Sequence, residues 1–379
     1  MPFEILDSKD MDEAKAVWAG SFGDEQGFID HYFSVRVPPG HVFGLRDGGS
    51  LASILCAVPM RCKIRDSHIQ TAFITGVSTL PEQRGKGFIS QLFSGVMPHL
   101  KEMGYALALL SPAVQGMYEK YGFSYCTKKR HLTLTRSAAE QMAQTGNGAI
   151  TISSDTDISA LAFLYGALSA QSSCIPERTG QDWAFILDDL EKDRGGILTA
   201  WDKEKPSGYM AYRYEDGSLE SPESIFADAP VFYLLANEIL QMGKAAACAF
   251  TFQPAATEIP DSILEQGGMA RILDMEAVTS SLKDGLAGKG QVCIEIRDPL
   301  CPWNDGVFEF GKSGEGSYHI QRSDLAPEIK MPIGEWTEWI CGNSEQSEDR
   351  GSYGGKIADT PEALAKILPK KNCICFDKY

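Results

Sequence analysis

The sequence predicts a mixed α/β chain in three parts, on three observations. Residues 1 to about 135 alternate strand-like and helix-like apolar patterns, and residues 149 to about 268 do so again without a glycine-rich turn. After Met269 the pattern changes to strand-period alternation that closes on a short helix. The length of 379 residues agrees, since roughly 150 residues per domain gives two or three domains.

Taken in order, Phe3–Leu6 reads as a short strand, and Met11, Ala14 and Trp18 then recur at helical spacing behind an acidic first turn. Val42–Leu45 and Leu51–Val58 flank Asp47-Gly48-Gly49, a hairpin signal, and a second tight connection at Asp66-Ser67-His68 joins Cys62–Arg65 to Ile69–Ile74. Phe88, Leu92, Val96 and Leu100 mark one face of a helix ending near Gly104, in which Pro98 predicts a kink or an early end. Tyr105–Leu110 follows as a buried strand, then a short helix through Met117–Lys120 and a last strand after Gly122.

Residues 136–148 are small and polar and read as a linker. Beyond it, Gly196–Trp201 and Gly208–Tyr214 read as strands, and Ala160–Ala170 and Val231–Met242 as helices. In the last part Val292, Ile294 and Ile296 alternate at strand period, and Asn304-Asp305-Gly306 before Val307–Phe310 is a hairpin signature. Ser317–Arg322 and Glu335–Cys341 are further strand or short-helix candidates. Thr360-Pro361 opens a helix as N-cap and first residue, with Leu364, Ile367 and Leu368 facing inward.

Composition excludes several classes. Hydrophobic residues at 43% and charged residues at 23% are ordinary for a globular chain and argue against disorder. The longest apolar run is far below the ~20 residues that span a bilayer, and the acidic N-terminus lacks the basic and apolar regions of a signal peptide. A cytoplasmic protein is expected. With 35 Lys and Arg against 51 Asp and Glu, the net charge of −16 repels nucleic acid and anionic membranes and attracts cationic ligands. The same acidity also simply favours solubility. Ten dispersed cysteines contain no CxxC pair, and the six histidines form no HExxH cluster, so reduced, buried thiols and no metal are expected.

One segment points to chemistry. Val77-Ser78-Thr79-Leu80-Pro81-Glu82-Gln83-Arg84-Gly85-Lys86-Gly87-Phe88 joins a strand to a helix through two glycines that allow φ > 0 and close ligand approach. The free N–H groups and positive end of the following helix suit a pyrophosphate, and Arg84 and Lys86 add charge. No Gly-Lys-Ser/Thr follows, which excludes a P-loop, and the three glycines and later acid of a Rossmann fingerprint are missing. About thirty residues on, Ser111-Pro112-Ala113-Val114-Gln115-Gly116-Met117-Tyr118-Glu119-Lys120-Tyr121-Gly122-Phe123 sets a Tyr at a helix and Gly-Phe at its exit.

Together these segments resemble the acetyl-CoA site of the GNAT acetyltransferase superfamily, where Arg/Gln-x-x-Gly-x-Gly/Ala cradles the pyrophosphate. Arg84 takes the first position, Gly87 the fourth, and Ile89 departs from Gly/Ala at the sixth. The Eis family of N-acetyltransferases also has a larger apolar residue there. The resemblance to that family implies an N-terminal GNAT domain (1–135), a second, degenerate GNAT-like domain (136–268) and a sterol-carrier-protein-like α+β domain (269–379), the last opening at Gly268–Ala277.

By position, the resemblance implies that Val77, Ser78 and Thr79 meet the pantetheine arm. Gly85, Lys86, Gly87, Phe88, Ile89 and Ser90 would line the pyrophosphate beside Arg84, with further coenzyme contacts at Ala113 and Val114, where relatives often carry Ser-Glu. It makes Tyr118 the general acid toward the departing thiolate and the C-terminal carboxylate of Tyr379 the general base. Relatives often carry an acidic residue before that terminus; here it is Lys378. Tyr121 reads as core. Family members form hexamers, so a homo-oligomer is implied.

The chemistry is workable for the acid, since a free Tyr with pKa ~10 can donate to a thiolate whose conjugate acid has pKa ~8.5. It is harder for the base, because a carboxylate of pKa ~3.5 lies roughly 5 units below an ammonium. Burial could raise it, a water could relay the proton, or the carboxylate could position an amine that is already neutral. The expected function is acetyl transfer from acetyl-CoA to a primary amine in a ternary complex. The acceptor would be a cationic small molecule such as an aminoglycoside-like polyamine, with Asp24, Glu25 and Asp377 as amine contacts. The alternatives are a peptide or protein lysine acetyltransferase, or a non-catalytic binder of apolar ligands with a vestigial GNAT half.

Overall fold

A computed structural model of the chain describes residues 3–144, 149–215, 217–253, 259–283, 290–312, 317–343 and 362–374. By its contacts the chain divides into two units, one of residues up to Cys126 with Gly268–Lys371, the other of Thr127–Gly267 with the strand at Asn372–Cys373.

The N-terminal segment opens with β1 (Glu4–Ile5) and α1 (Met11–Phe22), whose Ala14, Val17 and Trp18 are buried. Gly23, at φ 76°, ends α1, and α2 (Gln26–Val35) follows at once, a helix that the sequence pattern did not reveal. Next come β2 (Val42–Asp47), β3 (Ser50–Ile64) and β4 (Ser67–Thr79), joined by the two expected tight connections. α3 (Phe88–Glu102) buries Phe88, Leu92, Phe93, Val96, Met97 and Leu100 against Phe43, Leu55, Ala57, Ile74 and Leu110. Pro98 does not end it: a proline removes one hydrogen bond, to the carbonyl of Ser94, and Ser94 is exposed to water. β5 (Leu107–Leu110) is fully buried, and β6 (Ser124–Tyr125) follows a 3-10 turn over Glu119–Tyr121 where a short helix through Met117–Lys120 was expected.

The second unit runs β7 (Lys128–Thr135), α4 (Arg136–Ala143), β8 (Ile150–Ser153) and α5 (Ile158–Ala170), then the short strands β9 (Ser172–Ser173) and β10 (Ile175–Pro176). It continues with α6 (Gly180–Lys192), β11 (Gly196–Asp202), β12 (Lys205–Glu215), β13 (Ser218–Phe226), α7 (Ala229–Met242), β14 (Ala247–Phe252) and β15 (Ile263–Gln266). Its strands order as β15-β7-β14-β13-β12-β11-β8, with β13 and β14 parallel. Successive residues feed two cores: Leu198 and Met210 pack with α7, while Ile197 and Tyr209 pack with α5 and α6. The expected linker over 136–148 is corrected in its first half, which forms α4. Alanines there favour helix, Thr135 caps the start by accepting from the Ala138 N–H at 3.3 Å, and Ala139 is buried. The rest of that stretch lies mostly outside the described residues.

The chain then returns to the first unit. β16 (Met269–Ile272) enters the N-terminal sheet between β5 and β6, giving the order β1-β2-β3-β4-β5-β16-β6. After α8 (Met275–Ser281), the strands β17 (Gly290–Arg297), β18 (Gly306–Lys312), β19 (Tyr318–Arg322) and β20 (Ile329–Pro332) form a sheet in the order β19-β18-β17-β20. α9 (Ile333–Cys341) settles Glu335–Cys341 as helix, and its Trp336 meets Phe310 at 4.9 Å between ring centres, with Tyr318 stacked on Phe310 at 5.8 Å. From the β3–β4 connection, the buried Arg65 donates to the carbonyls of Ile340 (3.0 Å), Trp339 (2.8 Å) and Pro369 (2.9 Å), completing the C-terminal end of α9. In α10 (Glu362–Ile367) and just after it, Leu364, Ile367 and Leu368 are buried as expected, while the expected cap at Thr360-Pro361 lies outside the described residues. β21 (Asn372–Cys373) runs parallel to β9 in the second unit. All nine described cysteines are buried thiols.

Candidate active site

The site begins at an irregularity in β4. Its register against β3 shifts between Ile54↔Ser78 and Cys56↔Thr75, and Gly76 within the shift has φ 59°. A Cβ on Gly76 would lie 2.3 Å from the Trp18 ring, so this position has room only for glycine. Among the described residues, β4 pairs with the parallel β5 only through Thr71–Leu107, Ala72–Ala108 and Phe73–Leu109. The pairing ends at Phe73, and Val77, Ser78 and Thr79 lie further along β4, beyond the paired stretch.

Two of these three residues spend their side chains on the scaffold. Ser78 Oγ donates to the Gly76 carbonyl (3.1 Å), and Thr79 Oγ1 shares a hydrogen bond with Ser53 Oγ (2.8 Å). Ser53 Oγ also donates to the Ser78 carbonyl at 2.6 Å, and the Thr79 carbonyl accepts from Ser21 Oγ and Arg84 Nε, both at 3.3 Å. Arg84 is thereby tied to the end of β4, while the residue as a whole is exposed.

The turn itself is open. Gly85 and Gly87 have φ of 82° and 80°, and a Cβ on either would meet nothing within 4 Å. Gly87 is the N-cap of α3, and no side chain caps that end, so the first N–H groups of the helix, from Phe88 to Ser90, face this space without an intrahelical acceptor. Uncapped N–H groups at the start of a helix are donors of the kind that suit an anion. Lys86 is turned to Asp47 Oδ2 (2.8 Å) and Gln83 Oε1 (2.6 Å). Phe88 and Ile89 pack their side chains into or against the core, leaving their backbone to the turn, and Ser90 Oγ hydrogen-bonds the Tyr121 hydroxyl at 2.8 Å. Ala113 and Val114 are exposed, with Val114 56% accessible.

Tyr118 sits at the head of the 3-10 turn. Its carbonyl accepts from the N–H groups of Tyr121 (3.0 Å) and Phe123 (3.4 Å), and its ring stands edge-on to Phe93 and Phe123. The side chain is buried, and burial, with Tyr121 beside it, pushes the phenol up to about 12. It is therefore fully protonated at neutral pH and able to donate.

Of the expected amine contacts, Asp24 is exposed and accepts from Trp18 Nε1 at 2.7 Å, so the indole packed on Gly76 also holds this carboxylate. Glu25 is the exposed N-cap of α2. Asp377 and Tyr379 lie outside the described residues. No group of three His, Cys, Asp or Glu able to hold a metal occurs among the described residues, and none of their helices is long and apolar enough to cross a membrane. Sequence reasoning missed Gly76 and Trp18. A lone glycine inside a strand pattern is a bulge signal that could have found the first.

Comparison with known proteins identifies the domains that carry these residues. Residues 3–126 match the family described as acetyltransferase (GNAT) domain, and residues 277–375 match the sterol carrier protein domain. No curated protein matches the chain. Among solved structures, a GCN5-related N-acetyltransferase from Anabaena variabilis is 15% identical over 100% of this chain and 99% of its own, with a TM-score of 0.81. Eis1 from Mycobacterium abscessus is 14% identical over the whole of both chains, with a TM-score of 0.71. A probable N-acyltransferase from Enterococcus faecalis is 19% identical over 89% of each chain, with a TM-score of 0.74. The β4 bulge, the open glycine turn and the buried tyrosine thus lie in a GNAT acetyltransferase domain, and residues 277–375 form a sterol carrier protein domain, within a mixed α/β fold shared with Eis1.

Proposed function

We propose that this protein transfers the acetyl group of acetyl-CoA to a primary amine of a cationic small molecule, in a ternary complex. The observation that carries this reading is the pairing of an open, uncapped helix N-terminus at Gly85–Ser90 with a buried, protonated Tyr118 on the same domain. The turn suits the coenzyme pyrophosphate. The amine nitrogen attacks the thioester carbonyl, a C–N bond forms and the C–S bond breaks, and the leaving sulfur takes the Tyr118 proton. The proton lost by the amine goes to the base, which the family resemblance assigns to the Tyr379 carboxylate. Asp24, held by Trp18, and the net charge of −16 favour a cationic acceptor. Phe310, Tyr318 and Trp336 fill the packing between the C-terminal sheet and α9, which favours a scaffolding role for that domain over lipid carriage.

The test is release of CoA thiol from acetyl-CoA in the presence of neomycin B, spermidine and a lysine-containing peptide, alongside thermal shifts with acetyl-CoA and with palmitate. Turnover with neomycin B or spermidine supports the proposal, and turnover with the peptide alone moves the acceptor to protein lysine. No thiol release with any amine, together with a melting shift from palmitate but none from acetyl-CoA, would overturn it.

A further inference from the structure

The turn that carries Tyr118 is held from outside the matched GNAT segment. Arg271, on β16, is wholly buried, and its Nη1 donates to the carbonyl of Tyr121, the last residue of the 3-10 turn. Its Nη2 donates to both oxygens of the equally buried Asp298, at 2.7 and 2.9 Å. Asp298 in turn accepts from the N–H groups of Leu300 (3.2 Å) and Cys301 (3.0 Å) and from Asn304 Nδ2 (3.1 Å). Gly122, at φ 81°, has no Cβ because Arg271 Nη1 would lie 1.9 Å from it.

A buried ion pair is a poor way to gain stability, since desolvating two charges cancels most of their attraction and apolar replacements of similar volume are often neutral or better. What this pair does supply is a fixed donor for one backbone carbonyl. That carbonyl belongs to the last residue of the turn, whose N–H closes the turn on the Tyr118 carbonyl, while the Tyr121 hydroxyl is tied to Ser90 on α3. Carbonyl and hydroxyl together fix the turn relative to the helix N-terminus that faces the coenzyme. We propose that Arg271 and Asp298 are positioning residues for Tyr118, setting where its hydroxyl stands relative to the thioester sulfur. The proposal rests on the reading of Tyr118 as proton donor; a displacement near 1 Å at such a group is enough to cost about 10²-fold in rate.

The test uses the full chain with Arg271→Met and Asp298→Leu combined, which removes both charges and keeps the volume filled. Asp298→Asn, close to isosteric, is the second variant should the first not fold. Either variant, once folded, is expected to lose at least about tenfold in kcat for thiol release with neomycin B, while KM for acetyl-CoA stays within about twofold. On a Tyr118→Phe background the same change should cost less than about twofold, because the group being positioned is already gone. Equal losses on both backgrounds would overturn the proposal and leave the pair a structural tie. A second readout needs no acceptor: in 3-fluorotyrosine-labelled protein, the Tyr118 fluorine resonance, identified by its loss in Tyr118→Phe, should shift or broaden in the variants. An unchanged resonance in a folded variant also overturns it. If Tyr118→Phe alone leaves kcat intact, the proton-donor reading fails, and the fluorine spectra still decide whether the pair positions the ring.

Discussion

At the scale of single residues, Tyr118 combines two properties that a surface phenol does not have together: a fixed ring between Phe93 and Phe123, and an acidity weakened by burial to about 12. Tyr118→Phe keeps the ring and removes the proton, so kcat should fall by about 10²-fold or more with KM for acetyl-CoA little changed. A loss below about threefold would return Tyr118 to a packing role. The shifted acidity gives a second expectation. A phenol whose folded-state pKa is raised above its usual value of about 10 stays protonated through neutral pH. Its contribution to stability is complete below pH about 10 and is lost only as pH rises toward about 12. The kcat–pH profile should therefore show no alkaline fall due to Tyr118 between pH 7 and about 10, and a fall there that disappears in Tyr118→Phe would contradict the burial argument. Tyr118 was legible because its neighbours Tyr121, Gly122 and Phe123 follow at once in the chain. Arg271 was not: it stands in Met-Ala-Arg-Ile-Leu, where strand periodicity cannot show that a charge is buried or that its partner, Asp298, lies 27 residues on.

Elements show the same divide between local and distant causes. The turn from Thr79 to α3 was readable because glycines and helix periodicity act within a few residues, and φ values of 82° and 80° bear out what Gly85 and Gly87 were expected to permit. Gly87→Glu should leave the chain folded, at a cost of roughly 1–2 kcal/mol for a side-chain-bearing residue in the left-handed region. Its carboxylate would face the space the pyrophosphate needs, and calorimetric titration should find acetyl-CoA binding lost. Native affinity in the folded variant would remove the turn from the coenzyme site. The β4 bulge, by contrast, depends on Trp18, which is 58 residues from Gly76, and no pattern within β4 reveals that ring. α4 was misread for a different reason: small and polar composition suggests a loop, yet its alanines gain a cap from Thr135 and a partner in α7 once the chain has folded.

Across the whole molecule, the acetyltransferase and sterol carrier segments were visible in resemblance, while strand neighbours were not, because register is set by partners far away in the chain. The last described strand, β21, lies against β9, and the Ile374 N–H donates to the Ser173 carbonyl at 3.2 Å. That anchor lies five residues before Tyr379. If the Tyr379 carboxylate acts as base, two residues appended after it should cut turnover by about 10²-fold with acetyl-CoA binding and melting temperature unchanged, and native turnover would exclude it. β16 has a consequence of another kind, for the order of synthesis. A ribosome that has delivered Cys126 must add about 143 further residues before Met269 emerges, roughly 7–30 s at 5–20 residues per second. Through that interval β5 has a bare edge and β6 has no strand to lie on, since both pair with β16. The acetyltransferase sheet thus cannot be completed until the second unit has been made. A fragment of residues 1–135 should emerge aggregated, whereas co-expression with residues 136–379 should return part of it to the supernatant.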